Sequence, residues 1–272
     1  MKQFTRIMKE SLVEKKWIIL FFGGIIGLLA FMIIKLLDDI DLATIEAIIA
    51  SFPESFLEFI GDAELLTNPY GFLNVELFQF MWLYAGIFLV FLASSLVPTE
   101  VEQKIIDLSL TKPVSRTSFV GSKIVFLYFA IALMMAIVFL LTTVGIGTSQ
   151  NFINEGLYFG RLWTLYVVEV LFLASLSMLA VFFSTLFLST KRAMAVAIIV
   201  FFTMYFLGSF YSNMGDAEGV KYISFFFYHN PNDYLVYSDA AVLARDLIVL
   251  GSSNAALILL SLLVFKKKDI PI

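Results

Sequence analysis

Six long apolar segments constrain what this chain can fold into more than any other feature of its sequence. A helix of about 20 apolar residues, rising 1.5 Å per residue, crosses the roughly 30 Å of hydrocarbon in a bilayer. Apolar residues make up 60% of the chain and charged residues only 15%, unlike an average soluble domain. The sequence therefore predicts an all-α integral membrane protein with six transmembrane helices. The segments comprise residues 17–34, 78–97, 124–146, 170–188, 193–211 and 247–265.

The connections between these segments are too short to form further domains. The two longest, residues 35–77 and 212–246, are smaller than a typical domain, so residues 1–272 are predicted to form one transmembrane domain. The first apolar segment follows a basic stretch, as the apolar part of a signal peptide does. It exceeds the usual length of that part, and no small-x-small cleavage site follows it, so we expect an uncleaved anchor.

Basic residues are distributed unequally between the two predicted sides of the membrane. Fourteen of the 18 Lys and Arg residues lie in the N-terminal segment, the second and fourth connections and the C-terminal segment. The first connection instead carries nine carboxylates and one lysine. Because basic connections stay in the cytoplasm, both termini are predicted to be cytoplasmic, in a multi-pass protein of the plasma membrane. The net charge of -4 then reflects sidedness and gives no sign of nucleic-acid binding.

The N-terminal residues 1–16 have the pattern of an amphipathic helix. Phe4, Ile7, Met8 and Leu12 recur at helical spacing, while the charged residues largely occupy other faces. We therefore expect a short interfacial helix in the cytoplasmic headgroup region, before the first span. The alternative is a frayed basic leader that only orients this span.

Gly23 and Gly27 form a G-x-x-x-G pattern in the first apolar segment. Small residues at this spacing let two helix backbones approach closely. The pattern is compatible with packing in a dimer of two copies and equally with packing inside one subunit.

Residues that build catalytic or metal sites are scarce in this chain. It has no cysteine, and His229 is its only histidine, so thiol catalysis, disulfides and multi-histidine metal sites are excluded. Nothing matches the phosphate-binding pattern G-x-x-x-x-G-K-[ST], so any ATP-driven function needs a partner ATPase. We predict no catalytic residue, metal site or cofactor site in the chain itself, which argues against a membrane enzyme.

Two features near the predicted outer side need separate interpretation. Glu169 directly precedes a charge-free run, and a carboxylate without a buried partner is a poor proton relay. We therefore expect it at the outer membrane boundary, within reach of Arg161. The aromatic residues just before the sixth span predict a re-entrant or short helical cap at the outer interface, in which His229 has no catalytic role.

The second connection, residues 99–123, combines mixed charge with a helical pattern, and we call it the elbow. Thr99 is predicted to cap a helix with Glu102 as its capping-box partner, and Pro113 ends that helix. Ser115 is then expected to cap a second helix, which continues into the third span. The elbow would lie on the cytoplasmic face; the alternative is an amphipathic connector resting on the lipid headgroups.

Several motifs occur in order along the whole chain. The elbow has acidic residues, a Leu-rich turn, a Pro-x-Ser-Arg element and a lysine entering the third span. MKESLVEKKW leads into the first span, SFPESFLEFIGDAELLTNPYGFLNVELF covers much of the first outer connection, and SFFFYHNPNDYL lies in the last outer connection. Together they resemble the permease subunits of ATP-binding-cassette exporters of the second type, although those commonly have Gly-Thr where this chain has Lys104-Ile105. The resemblance implies that the elbow is a coupling helix on an ATPase subunit. Its contact residues would be Glu100, Glu102, Lys104, Asp107 and Arg116.

The same resemblance implies an activity. The chain would be half of an exporter, with a second permease copy or close paralogue and a pair of cytoplasmic ATPases that bind ATP and magnesium. An amphipathic or hydrophobic cargo, such as a peptide, a lipid or a drug, is compatible with the 30 phenylalanines, which fit lipid contact equally well. A stand-alone secondary transporter or channel is the alternative, although such proteins usually carry several polar or charged groups inside their spans.

Overall fold

The computed structural model describes residues 2–40, 51, 63–103 and 115–268. These residues form helices and connecting turns, without a strand. Within them, six helical segments are long and apolar enough to cross a membrane, and we number them spans 1 to 6 along the chain. The fold is that of an all-α membrane protein, as the sequence predicts. The spans are Phe4–Asp39, Pro69–Glu102, Arg116–Gly147, Phe159–Phe187, Thr190–Ser209 and Ala240–Lys267.

The helices extend beyond the apolar windows of the sequence. Short 3₁₀ segments lie at Ala63–Leu66, Phe78–Phe80, Tyr211–Ile223 and Phe225–Tyr228, and a π-helix at Trp82–Gly86. The α-helices are α1 (Lys2–Asp39), α2 (Pro69–Glu76), α3 (Ile87–Ser95), α4 (Pro98–Glu102), α5 (Arg116–Gly147), α6 (Gln150–Glu155), α7 (Phe159–Phe187), α8 (Thr190–Ser209), α9 (Pro231–Leu235) and α10 (Ala240–Lys267).

The amphipathic N-terminal segment is helical, but it is not a separate helix. α1 runs without a break from Lys2 to Asp39, so this segment forms the first turns of the helix that contains span 1. No proline or glycine precedes Gly23 to interrupt it. At 1.5 Å per residue α1 is about 57 Å long, well beyond the thickness of the hydrocarbon core. Its N-terminal turns therefore continue beyond the apolar part of the span.

Span 2 begins earlier than predicted and changes its helical type along its length. α2 begins at Pro69, and the preceding Asn68 accepts the backbone N–H groups of Tyr70 and Gly71 through Oδ1. A 3₁₀ turn and a π-helix follow before α3, and α4 begins at Pro98. A proline at the first position of a helix loses nothing, because its missing N–H would have no acceptor there.

Span 4 is the central helix of the bundle. It contacts spans 2, 3, 5 and 6, whereas span 1 packs along span 3. Spans 5 and 6 bury only one side: Ile199 and Ile248, for example, expose 66% and 70% of their surface. Apolar faces of this extent are suited to lipid or to another membrane subunit.

Polar contacts show which connections share an end of the bundle. At one end, Lys123 at the start of span 3 binds Glu100 at the end of span 2. At the other, Lys35 at the end of span 1 donates to the Thr148 carbonyl at 2.7 Å. The two contacts lie at different ends of the bundle. This agrees with a chain in which successive spans cross the membrane in opposite directions. We call the end that carries the N-terminus and Lys123 the basic end, and the other the opposite end.

Candidate functional site

The first polar cluster lies where the elbow leaves span 2 and enters span 3. Glu100 Oε1 is 2.5 Å from Lys123 Nζ, and this ammonium also donates to Ser11 Oγ at 3.1 Å. The two charged side chains are only 21% and 10% exposed. The structure thus places Glu100 in an ion pair that joins spans 1, 2 and 3 and remains partly open to solvent.

Glu102 also makes contacts within the chain, and they replace the predicted capping box. Its carboxylate accepts the Thr190 backbone N–H at 3.0 Å and the Thr190 hydroxyl at 2.8 Å. α4 begins one residue before Thr99, and no side chain caps it. The capping-box prediction is therefore wrong, because Glu102 lies at the C-terminal end of α4 and caps the first turn of span 5 instead.

The C-terminal part of the elbow, residues 115–123, is bound to the ends of two further spans. Ser115 Oγ accepts the Ser118 N–H at 3.1 Å, which confirms the predicted cap. Arg116 donates through Nη1 to the carbonyl oxygen of Lys268, and Lys268 Nζ donates to the carbonyl of Leu186 at 2.7 Å. The start of span 3 is thereby connected to the ends of spans 4 and 6. Lys104 and Asp107 lie outside the described residues.

A cleft of about 400 Å³ opens beside the N-terminal part of the elbow, residues 99–103. Its walls come from α1, the end of span 2 and the start of span 3, and they mix acidic, basic and amide groups. Glu10, Glu14, Lys15 and Gln103 belong to this lining. The surface next to the elbow is therefore polar and carries both signs of charge, which suits a protein partner more than hydrocarbon.

The glycine pair of span 1 is used inside the subunit. A Cβ built at Gly23 would lie 3.0 Å from the Met134 carbonyl, and one at Gly27 would lie 3.2 Å from the Cα of Val138. Both glycines thus face span 3 of the same chain. Of the two interpretations of the Gly23 and Gly27 pattern, the structure supports packing inside one subunit, since span 3 occupies the surface that a second copy would need.

A second polar cluster lies inside the opposite half of the bundle. Span 4 begins at Phe159, earlier than predicted, so Glu169 lies ten residues into its helix and its side chain is fully buried. His229 Nε2 is 2.8 Å from Glu169 Oε1, and the imidazole side chain is only 4% exposed. Glu169 therefore has a buried partner, contrary to the expectation of a carboxylate without one.

Arg161, the expected partner of Glu169, is bound elsewhere. Its Nη1 donates to the carbonyl oxygens of Leu235 and Val236, each at 3.1 Å, and its guanidinium lies 4.3 Å from the centre of the Tyr158 ring. The guanidinium of Arg161, near the start of span 4, thus caps the C-terminal end of α9. Within the described part of the chain, the hydrogen-bond partner of the Glu169 carboxylate is His229.

The surroundings of the Glu169 and His229 pair are aromatic. The imidazole stacks on Phe172 with ring centres 4.0 Å apart and an interplanar angle of 13°. The second carboxylate oxygen of Glu169, Oε2, is buried and has no hydrogen-bond partner within the described part of the chain. A buried carboxylate oxygen without a donor is unfavourable for the folded state.

The residue after His229 is bound to another buried carboxylate. Asn230 Nδ2 donates to Asp246 Oδ2 at 2.9 Å, and Arg245 Nε donates to Asp246 Oδ1 at 2.7 Å. The Tyr234 hydroxyl donates to the same carboxylate. Burial and this hydrogen bond raise the pKa of Tyr234 above its usual range, so the phenol remains a donor. Asp246 is therefore satisfied by three donors, one of them cationic, in contrast to Glu169.

The segment that carries His229 enters the bundle. Residues 224–230, which we call the aromatic cap, form a 3₁₀ turn at Phe225–Tyr228. The Phe226 ring contacts Trp82 in the π-helix of span 2, Phe172 in span 4 and Tyr205 in span 5, at centroid distances of 5.8, 5.3 and 5.4 Å. The short helical turn agrees with the predicted re-entrant or short helical cap, and its central phenylalanine packs between three spans.

Comparison with known proteins gives a family but no activity. The profile of a family described as "Protein of unknown function (DUF2705)" matches residues 28–271. The chain belongs to this family. A search of the curated proteins finds none that matches it. In this family member the described residues include no group of three His, Asp or Glu side chains that could hold a metal ion.

Proposed function

We propose that this chain is the membrane subunit of an ATP-driven exporter, working with a second permease copy and with cytoplasmic ATPase subunits that bind ATP and magnesium. The observation that carries the proposal is that both ends of the elbow, residues 99–103 and 115–123, are bound by polar side chains to several spans at once. Glu100 reaches Lys123, Glu102 reaches Thr190, and Arg116 reaches Lys268. The cargo would be amphipathic or hydrophobic, in line with the resemblance of the sequence.

These contacts supply a physical route from an ATPase to the membrane. A displacement imposed on the centre of the elbow pulls on α4 and on the start of span 3. Through the Lys123 and Thr190 contacts the same displacement acts on spans 1 and 5. Because packed helices move as nearly rigid bodies, a small shift of the elbow would change how several spans pack together. A loose connector on the headgroups would need none of these contacts.

The distribution of charge favours a plasma-membrane protein with the basic end in the cytoplasm, where an ATPase would bind. The residues that face this partner would then be the charged ones at the centre of the elbow, Lys104 and Asp107, since Glu100 and Glu102 have partners within the chain. Apolar faces of spans 5 and 6 are available to a second permease copy or to lipid.

The test uses the double variant Lys104→Glu with Asp107→Lys, which keeps the net charge. Affinity-tagged chain would be isolated from its native membrane, and the ATP hydrolysis that co-purifies with it would be measured. Reversal of two interface charges typically costs on the order of 2–5 kcal/mol, so we expect the co-purifying activity to fall at least about tenfold.

A control reverses an ion pair at the opposite end, in which Glu218 is exposed and the Lys221 ammonium also lies over the rings of Tyr211 and Phe227. Glu218→Lys with Lys221→Glu also keeps the net charge and exchanges the partners of a contact that already exists. This control should retain the co-purifying ATP hydrolysis. Equal activity of the elbow variant and the wild type would refute the ATPase-binding elbow and favour the headgroup-bound connector.

One observation favours a second candidate, a stand-alone secondary transporter. The Glu169 and His229 pair is an ionisable group inside a span with a buried partner, which is a common feature of ion-driven transport. Vesicles that contain the purified chain alone separate the two candidates. Solute movement driven by a proton gradient without any ATPase would favour the secondary transporter, and a requirement for the partner would favour the exporter.

A further inference from the structure

Exposed basic side chains collect at the ends of spans 5 and 6. Lys191 and Arg192 lie in the first turn of span 5, and Lys266 and Lys267 lie in the last turn of span 6. Within the described residues none of these four forms a salt bridge, and we call them the terminal basic patch. Other basic side chains do bind a carboxylate, namely Arg6, Lys15, Lys35, Lys123, Lys221 and Arg245.

Polar contacts bring both halves of the terminal basic patch beside the end of span 4. Lys268 Nζ donates to the carbonyl of Leu186 at 2.7 Å, and the chain turns from the end of span 4 directly into span 5. Arg116, which donates to the Lys268 carbonyl, adds a further positive charge. Negative charge is scarcer: Glu102 interacts electrostatically with a patch lysine, and the sequence adds Asp269. The patch therefore keeps a net positive charge.

Exposed apolar faces lead along both spans to these charges. On span 6, Leu259 and Leu263 expose 60% and 55% of their surface, and their spacing places them on the same helix face as Lys267. On span 5, Ile199 exposes 66% and lies two turns from Arg192 on one face. An apolar surface that ends in unpaired cations matches a molecule with hydrocarbon chains and an anionic head. A soluble partner would not reach the apolar residues inside the spans.

We propose that the terminal basic patch binds the headgroup of an anionic phospholipid, whose acyl chains lie on the exposed faces of spans 5 and 6. The lipid phosphate supplies the negative charge that the described residues do not supply. Each basic residue near an anionic membrane surface strengthens binding roughly fivefold. Because both spans pack on span 4, one lipid headgroup would join the ends of three spans. The inference does not depend on the exporter proposal, since it concerns the chain and its bilayer without an ATPase.

The chain has no cysteine, so one fluorophore can be attached beside the patch through Leu263→Cys. Phe21→Cys, which is 61% exposed on span 1 near the same end, is the control. Quenching is measured in vesicles that contain brominated phosphatidylglycerol or brominated phosphatidylcholine. At Leu263→Cys we expect phosphatidylglycerol to be preferred at least about tenfold, and much less at Phe21→Cys. Equal preference at both positions would overturn the site, and quenching by neither lipid at Leu263→Cys would show that a second copy covers this face instead.

Charge removal in the Leu263→Cys protein tests the headgroup contact. Arg192→Gln with Lys267→Gln should lower the preference for phosphatidylglycerol about tenfold, because two of the cations are lost. Lys9→Gln with Lys16→Gln removes the same charge from exposed positions in α1 and should retain the preference. An equal loss in both double variants would show diffuse attraction to the basic end and would overturn the site. Displacement of the lipid by glycerol phosphate, the headgroup without acyl chains, would assign the patch to a soluble anion. Unchanged lipid preference with loss of co-purifying ATP hydrolysis would assign it to an acidic protein surface, and both results would overturn the proposal.

Discussion

Asn254 is a polar side chain accommodated inside span 6 by partners from two other spans. Its Oδ1 accepts the Tyr128 hydroxyl at 2.6 Å, and its Nδ2 donates to Ser175 Oγ at 2.7 Å. Hydrogen bonds of this kind contribute only about 0.6 kcal/mol each on average in a membrane protein. They are directional, however, so this contact fixes the relative rotation of spans 3, 4 and 6 more than it stabilises the bundle.

Replacement of Gly27 by leucine tests the packing of span 1 on span 3. A Cβ at this position would lie 2.7 Å from Leu141 Cδ1 and 3.2 Å from Val138 Cα, so the two helices must separate. We expect the free energy of unfolding in detergent to fall by about 1–3 kcal/mol. Gly24→Leu is the control, because no atom lies within 4 Å of its Cβ position. Equal losses in both variants would contradict the packing.

At the residue scale, the sequence reveals which side chains are unusual but not which of them meet. Glu169 and His229 are both conspicuous, one as a carboxylate beside an apolar run and the other as the sole histidine. Their contact depends on the aromatic cap turning back into the bundle, and no local pattern specifies that path. Arg161 was the nearer candidate along the helix, but its guanidinium is used by the carbonyls at the end of α9.

At the element scale, the apolar windows locate the spans well and their ends poorly. Charged and aromatic residues continue the helices past the apolar core, as at Arg161 in span 4, because a long side chain can reach water from inside the membrane boundary. Local caps such as Ser115 are predictable because donor and acceptor are three residues apart. The cap of span 5 is not, since Glu102 reaches it from 88 residues away.

The contact between Glu102 and Thr190 gives a prediction at this scale. Loss of a side-chain cap typically costs about 1 kcal/mol, so Glu102→Ala should increase local opening of the first turn of span 5 about fivefold. Hydrogen exchange of the amides of residues 190–194 measures this opening. The exposed neighbour Gln103→Ala serves as the control and should leave these amides unchanged. Unaltered exchange in Glu102→Ala would show that the contact does not stabilise the span.

At the scale of the whole molecule, six crossings follow from the sequence because hydrocarbon imposes length and composition on each helix. The order of packing does not follow in the same way. Span 4 is central although its apolar character resembles that of spans 2 and 6, and its contacts with four other spans distinguish it. The elbow was recognised by its mixed charge, yet the structure shows that part of this charge binds the spans themselves.

Sidedness is the prediction that belongs to the whole molecule, and the absence of native cysteine makes it measurable. Lys267 is exposed at the end of span 6, and Gly219 is exposed at the opposite end with no atom within 4 Å of its Cβ position. Because most basic residues lie at the basic end, Lys267→Cys should react with a membrane-impermeant maleimide only in inside-out vesicles. Gly219→Cys should react only in intact cells. The reversed pattern would place the elbow outside the cell, away from ATP, and would remove the physical basis for an ATPase partner.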